Sequence, residues 1–195
     1  MMSFMLSAFC MIAIFFNTGN CLKCQKCENT NGKTCSGELE TCDQSVDSCL
    51  TTLVVTIDGT NIISHITKSC VSNTDLCYAN YNMTFGSMQL YSIAQCCKSD
   101  GCNKDNIKLP LINQTENGVS CPSCLKVGGE KCVPKETIKC TGAQTKCFSY
   151  TGGVYSKGKF VDTDLKGCTT EDVCTHPAPT YPATLLKEGY KLTCP

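Results

Sequence analysis

Apolar residues fall along this chain in two different patterns. Residues 4–16 (FMLSAFCMIAIFF) form a nearly unbroken apolar run, followed by Asn17-Thr18-Gly19-Asn20-Cys21. Beyond it, apolar positions come in short β-branched stretches separated by turn dipeptides. Residues 50–57 (LTTLVVTI) and 60–67 (TNIISHIT) flank Asp58-Gly59, which predicts a hairpin with a type I′ turn. Residues 78–85 and 88–94 flank Gly86-Ser87, and residues 146–155 and 159–164 flank Lys157-Gly158, predicting two more hairpins. No later stretch sustains a helical period, so the predicted class is all-β.

The leading run is shorter than the about 20 helical residues that cross a bilayer. It reads as a secretory signal peptide, although no Lys or Arg precedes it. A secreted, extracellular chain is also what the cysteines require. There are 20 of them in 195 residues, and disulfides persist in oxidising compartments. Parity places the cut: cleavage after Cys21 removes Cys10 and Cys21 together and leaves an even number of cysteines, starting at Leu22-Lys23-Cys24.

Aligned against itself, the chain shows an internal repeat. The first half runs Cys24-x2-Cys27-x7-Cys35-x6-Cys42-x6-Cys49-x20-Cys70-x6-Cys77-x18-Cys96. The second runs Cys121-x2-Cys124-x7-Cys132-x7-Cys140-x6-Cys147-x20-Cys168-x5-Cys174-x19-Cys194. No corresponding spacing differs by more than one residue, so the halves are copies of one domain. Only the first copy continues into Cys97 and Cys102. The reading is a signal peptide at 1–21, a first domain at 22–104, a linker at 105–119 and a second domain at 120–195. Modules of roughly 75–80 residues bury thin cores and depend on covalent staples.

Charge excludes more than it suggests. The 17 basic residues, all Lys, balance 17 acidic ones. Without Arg forks or a basic excess, a nucleic-acid partner is not expected. The Cys-x2-Cys pairs are not expected to hold metal, because each belongs to the repeated framework of a secreted chain. His65 and His176 stand without a nucleophile elbow, a metalloprotease helix or a phosphate loop. Glu171-Asp172 reads as two solvated charges. No enzyme and no cofactor are expected. Asn82-Met83-Thr84 and Asn113-Gln114-Thr115 are glycosylation sequons, Asn113 the more accessible of the two. Candidate binding residues flank the hairpin turns: Val54, Val55, Ile57, Ile62 and Ile63 in the first copy, Tyr155 and Phe160 in the second. Alternation sends some of them inward, and the sequence does not say which.

The opening Leu22-x-Cys24-x2-Cys27, the long gap after the fifth cysteine and the closing Cys96-Cys97-x4-Cys102-Asn103 resemble the three-finger family of the lymphocyte antigen six and the urokinase receptor. The resemblance implies two tandem three-finger domains. It also implies a pairing that spacing alone leaves open: Cys24–Cys49, Cys27–Cys35, Cys42–Cys70, Cys77–Cys96 and Cys97–Cys102 in the first copy. In the second it implies Cys121–Cys147, Cys124–Cys132, Cys140–Cys168 and Cys174–Cys194. Cys140-Thr141-Gly142, Lys166-Gly167-Cys168 and Tyr190-Lys191-Leu192-Thr193-Cys194 are similar to the gamma-type phospholipase A2 inhibitors and to the sodefrin-precursor-like factors. The inhibitors often lack the short bridge that Cys124 and Cys132 supply here, a departure that leans toward the second group.

The resemblance implies a secreted binding protein that occludes a phospholipase A2 through surface contacts, or else a pheromone-like ligand read by a receptor. Either partner is a protein, and homo-oligomer formation is compatible with both. The chain ends at Pro195 without a hydrophobic tail, so no membrane anchor is expected.

Overall fold

The computed structural model describes residues 21–72, 74–78, 80–156, 159–175 and 189–195. The apolar run 4–16, the Lys157-Gly158 turn, His176 and the side chain of Tyr155 lie outside the described residues. The described chain is mostly antiparallel β. The first copy contains β1 (Lys23–Gln25), β2 (Cys27–Asn29), β3 (Leu39–Thr41), β4 (Ser48–Asp58), β5 (Asn61–Val71), β6 (Tyr81–Phe85) and β7 (Met88–Cys97). The second contains β8 (Glu116–Val127), β9 (Glu136–Thr141), β10 (Lys146–Ser156), β11 (Lys159–Thr169) and β12 (Lys191–Thr193).

The hairpins form close to where turn chemistry predicts them. Phe85 pairs with Met88 across Gly86-Ser87. The β4–β5 turn sits one residue later than Asp58-Gly59, because Asp58 pairs with Asn61 and leaves Gly59-Thr60 as the loop. Asp58 is held in the ladder from its other side too, opposite Met88. Tyr78 closes a 3-10 turn (Thr74–Tyr78) rather than opening a strand. A single helical turn, Asp172–Thr175, also departs from the all-strand expectation. Cys174, inside this turn, is bridged to Cys194.

Nine bridges gather at the bases of the fingers. In the first copy they join Cys24 to Cys49, Cys27 to Cys35, Cys42 to Cys70, Cys77 to Cys96 and Cys97 to Cys102. In the second they join Cys121 to Cys147, Cys124 to Cys132, Cys140 to Cys168 and Cys174 to Cys194. Cys21 is the free cysteine among the described residues.

Strand β4 is buried on both faces over most of its length, which alternation alone does not predict. On one face Leu53 and Val55 lie with Ile66 and Tyr91 under Ile107, and Leu109 and Ile112 pack against the same cluster. The segment 105–119, read from sequence as a linker, is therefore a strap across the first sheet. Its last residues already belong to β8, which begins at Glu116. Lys68 fastens the strap at its start: the buried Nζ donates to Lys104 O at 2.6 Å and to Gln25 Oε1 at 2.9 Å.

The opposite face of β4 contributes Leu50 to a core that both copies share. Tyr81, Met83, Phe85 and Ala94 meet Phe148, Tyr150, Leu165 and Val173 there. Phe85 and Phe148 pack edge to face, with centroids 6.1 Å apart. The backbone is continuous as well. Met83–Phe85 of β6 pair antiparallel with residues 167–169 of β11, so one sheet of ten strands runs through both modules. Gly167 is what permits that approach, since a Cβ there would overlap Thr84 O.

Candidate functional site

The β4–β5 finger pairs without interruption from Ser48 opposite Val71 to Asp58 opposite Asn61. Ile57 stands opposite Ile62 and Thr56 opposite Ile63. Adjacent strand residues point to opposite faces, so Ile62 and Ile63 present apolar side chains on both sides of one tip. They are 59% and 58% exposed. Ile57 instead packs on the strap-covered cluster and anchors the tip. Asp58 Oδ1 accepts a hydrogen bond from Ser87 Oγ at 2.9 Å, tying this tip to that of the β6–β7 finger. Single exposed isoleucines are ordinary, whereas two together on a braced tip are a candidate contact point.

The outer edge of the same finger is open. β2 covers β5 only at Ile66–Lys68. Among the described residues, 61–65 have β4 on one side and no strand on the other. That stretch (NIISH) carries no Pro or Lys of the kind that blunts an edge strand. Its free N–H and C=O groups can accept an added strand.

The other candidate binding residues divide by burial. Val55 is core and is withdrawn as a contact residue, because it faces inward under the strap. Val54 is half-buried on the opposite face. In the second copy Phe160 is partly exposed and pairs across the hairpin with Tyr155.

The titratable groups do structural work. His65 Nε2 lies 2.9 Å from Glu28 Oε1, joining β5 to β2 at the surface. Glu171 lies 3.4 Å from Lys146, and Asp172 opens the short helix. Burial raises the Tyr81 hydroxyl well above its ordinary range. Burial, followed by the neighbouring Tyr190, pushes Tyr150 up to about 12. Burial lowers Lys68, partly countered by the charge of Asp105. The sulfurs of Cys24, Cys42 and Cys70, and those of Cys121, Cys140 and Cys168, cluster within 4.8 Å. All six are consumed in bridges, so none is a thiolate able to ligate metal.

The two sequons differ in setting. Asn113 is exposed at the end of the strap, its Oδ1 accepting from Thr115 N at 2.9 Å. Asn82 lies on β6 at the junction between the modules, where its Oδ1 accepts from Gln144 Nε2 at 2.5 Å. Gln144 has no local signal in the sequence, whereas Asn103 is marked by its place in the closing Cys96-Cys97-x4-Cys102-Asn103 motif. No helix among the described residues is long and apolar enough to cross a membrane.

Known proteins share this arrangement. The u-PAR/Ly-6 domain model matches twice, over residues 20–105 and 117–193. The phospholipase A2 inhibitor NAI of Notechis ater is 30% identical over 171 residues, covering 85% of this chain and 82% of the relative. A gamma-type phospholipase A2 inhibitor chain of Gloydius brevicaudus siniticus is 29% identical over 172 residues, with the same coverage. Protein RoBo-1 of Rattus norvegicus is 36% identical over 96 residues, 48% of this chain and 38% of that protein. Two matched segments, nine bridges at the bases of hairpin fingers and relatives aligned through both modules lead to one assignment: the chain belongs to the u-PAR/Ly-6 domain family.

Proposed function

We propose that this chain is a secreted, non-catalytic binding protein that inhibits a phospholipase A2 by covering its surface. The observation that carries this reading is alignment with phospholipase A2 inhibitors through both modules, over 85% of the chain. A local match would speak only for the fold, which hosts many functions. The leader is removed after Cys21, the one described cysteine that forms no bridge. Asn113 carries the glycan.

The braced apolar tip at Ile62 and Ile63, with the open β5 edge beside it, is the contact surface. A phospholipase A2 acts on lipid, and two isoleucines on a rigid finger suit an enzyme face that meets lipid. The test is to add the purified protein to a panel of secreted phospholipases and follow both binding and hydrolysis. The reading expects saturable binding and slowed hydrolysis for at least one enzyme. It also expects the double variant Ile62→Ser/Ile63→Ser to keep its fold and lose about tenfold or more in affinity. No binding to any enzyme of the panel defeats it.

A signalling ligand read by a receptor is the second reading, favoured by the intact Cys124–Cys132 bridge. Saturable binding to receptor-bearing cells, with phospholipase hydrolysis unchanged, would select it.

A further inference from the structure

Asn82-Met83-Thr84 is a complete glycosylation sequon, and the structure puts it at the seam between the modules. Its two recognition groups, the Asn82 amide and the Thr84 hydroxyl, lie on one face of β6 because they are two residues apart. A single side chain from the second module holds both. Gln144 Nε2 donates to Asn82 Oδ1 at 2.5 Å and to Thr84 Oγ1 at 2.7 Å. Gln144 is 1% exposed, and its own oxygen accepts from Thr141 N at 3.1 Å, so the amide is fixed in orientation.

The backbone around the sequon is held from the same side. Thr170 N donates to Asn82 O at 3.1 Å, and Thr84 stands opposite Cys168 in the β6–β11 ladder. Gly86 N donates to Ser123 Oγ at 2.8 Å just beyond. Asn82 and Thr84 are half-buried, and it is the Gln144 amide that occupies the side-chain groups a transferase would have to engage.

We propose that docking of the second module masks this sequon, so that a glycan on Asn82 and a closed module junction exclude one another on the same molecule. Asn82 would then be a latent modification site: silent in the closed protein, and locking the modules apart wherever it is filled. In the transfer, Asn82 Nδ2 displaces the lipid pyrophosphate from C1 of a lipid-pyrophosphate-linked oligosaccharide. An N–C bond forms, the C1–O bond breaks, and one Nδ2 proton is lost as the lipid pyrophosphate leaves with the bonding electrons. Folded protein can react only through the fraction of molecules whose junction is open.

This inference rests on passage through the secretory pathway, but its test does not rest on phospholipase binding. Full-length protein made without glycans, its bridges verified by mass, is incubated with an oligosaccharyltransferase and the lipid-linked donor. Occupancy of the Asn82 and Asn113 peptides is followed by mass spectrometry, with the reduced and alkylated chain setting the unhindered rate. Wild-type protein should be modified at Asn113, and at Asn82 about tenfold or more slowly than the unfolded chain. Gly167→Val, which wedges β6 from β11, and Gln144→Ala, which removes the cap without a clash, should each restore modification at Asn82. Equal rates at Asn82 in folded wild type and unfolded chain would overturn the proposal. So would an Asn82 that stays unmodified in both variants, or an Asn82-glycosylated form whose amides at 167–169 remain protected from hydrogen exchange.

Discussion

The two modules close their bases by different means. In the first, the loop behind the Cys97–Cys102 bridge carries Asn103 into the base, where it is almost fully buried. Its Oδ1 accepts from Gln25 N at 2.8 Å, and its Nδ2 donates to Gln25 O at 2.9 Å and Leu50 O at 3.5 Å. In the second module the position matching Cys97 is Pro195. The residue after its first cysteine is Pro122, which has no N–H to satisfy, whereas the corresponding Gln25 donates one. The position matching Leu50 is Phe148, covered by Phe85 of the first module. One module closes on itself, and the other is completed by its neighbour. Where Pro195 takes the place of Cys97, the N–H that Asn103 serves in the first copy is also missing, and the face matching Leu50 is covered from next door.

Removing the neighbour's contribution should do the most damage. Phe85→Ala takes the ring from the shared core and is expected to cost about 3–5 kcal/mol. Hydrogen exchange should locate the loss chiefly in β10 and β11, although residue 85 lies in the first module. Unfolding confined to β6 and β7 would show that the second module stands alone. Ile107→Ala tests the strap. It should cost about 2–5 kcal/mol in denaturant titration and speed proteolysis between Asp105 and Glu116. An unchanged midpoint would mean that the segment is a tether after all.

Asn103→Ala leaves the Gln25 and Leu50 groups unpaired inside the first base. It should cost about 1–3 kcal/mol there and leave exchange in the second module unchanged. The converse, Pro122→Gln, restores the missing N–H at an exposed position, where water can satisfy it. Its effect should stay within about 0.5 kcal/mol. A large loss from Pro122→Gln would show that the second base has a buried acceptor requirement of its own.

Alkaline titration gives the most local signal. Tyr150 ionises near 10.0 when unfolded and only at about 12 when folded. The folded state holds the proton more tightly, so this contribution is present below the unfolded value and is lost as pH rises through that window. Tyr150→Phe should therefore flatten the alkaline loss of stability of the second module relative to wild type, read by circular dichroism against pH. An alkaline limb with unchanged slope would assign the loss to other tyrosines.

Much of this architecture was legible in advance, and the reasons differ by element. The repeat could be read because cysteine spacing survives where other residues drift. The hairpins could be read because Gly59 and Gly86 take positive φ at tight turns, and β-branched residues flank them. The pairing of cysteines came from family resemblance, since spacing permits many connectivities. The binding tip was half legible. The turn pointed to Val54, Val55, Ile57, Ile62 and Ile63 together, and only the tertiary structure decides that the strap covers Val55 while Ile62 and Ile63, nearer the tip, stay exposed. The strap itself was hidden, because Ile107, Leu109 and Ile112 are too sparse to form a period. Gln144 was hidden for another reason: a polar residue four positions after Cys140 has no local signature, and its partners lie far off along the chain, the amide pair at a separation of 62.

The sequence by itself determined two cysteine-rich modules, their β character and the places where their chains turn. Those properties depend on residue type and on short spacings, which act locally. The tertiary structure alone decided that the modules share one sheet and one core, and that the connecting segment is a strap. It also decided that a sequon lies under a buried amide. Each of these depends on surfaces meeting across long separations, where small details of shape, such as the missing Cβ of Gly167, permit or forbid contact.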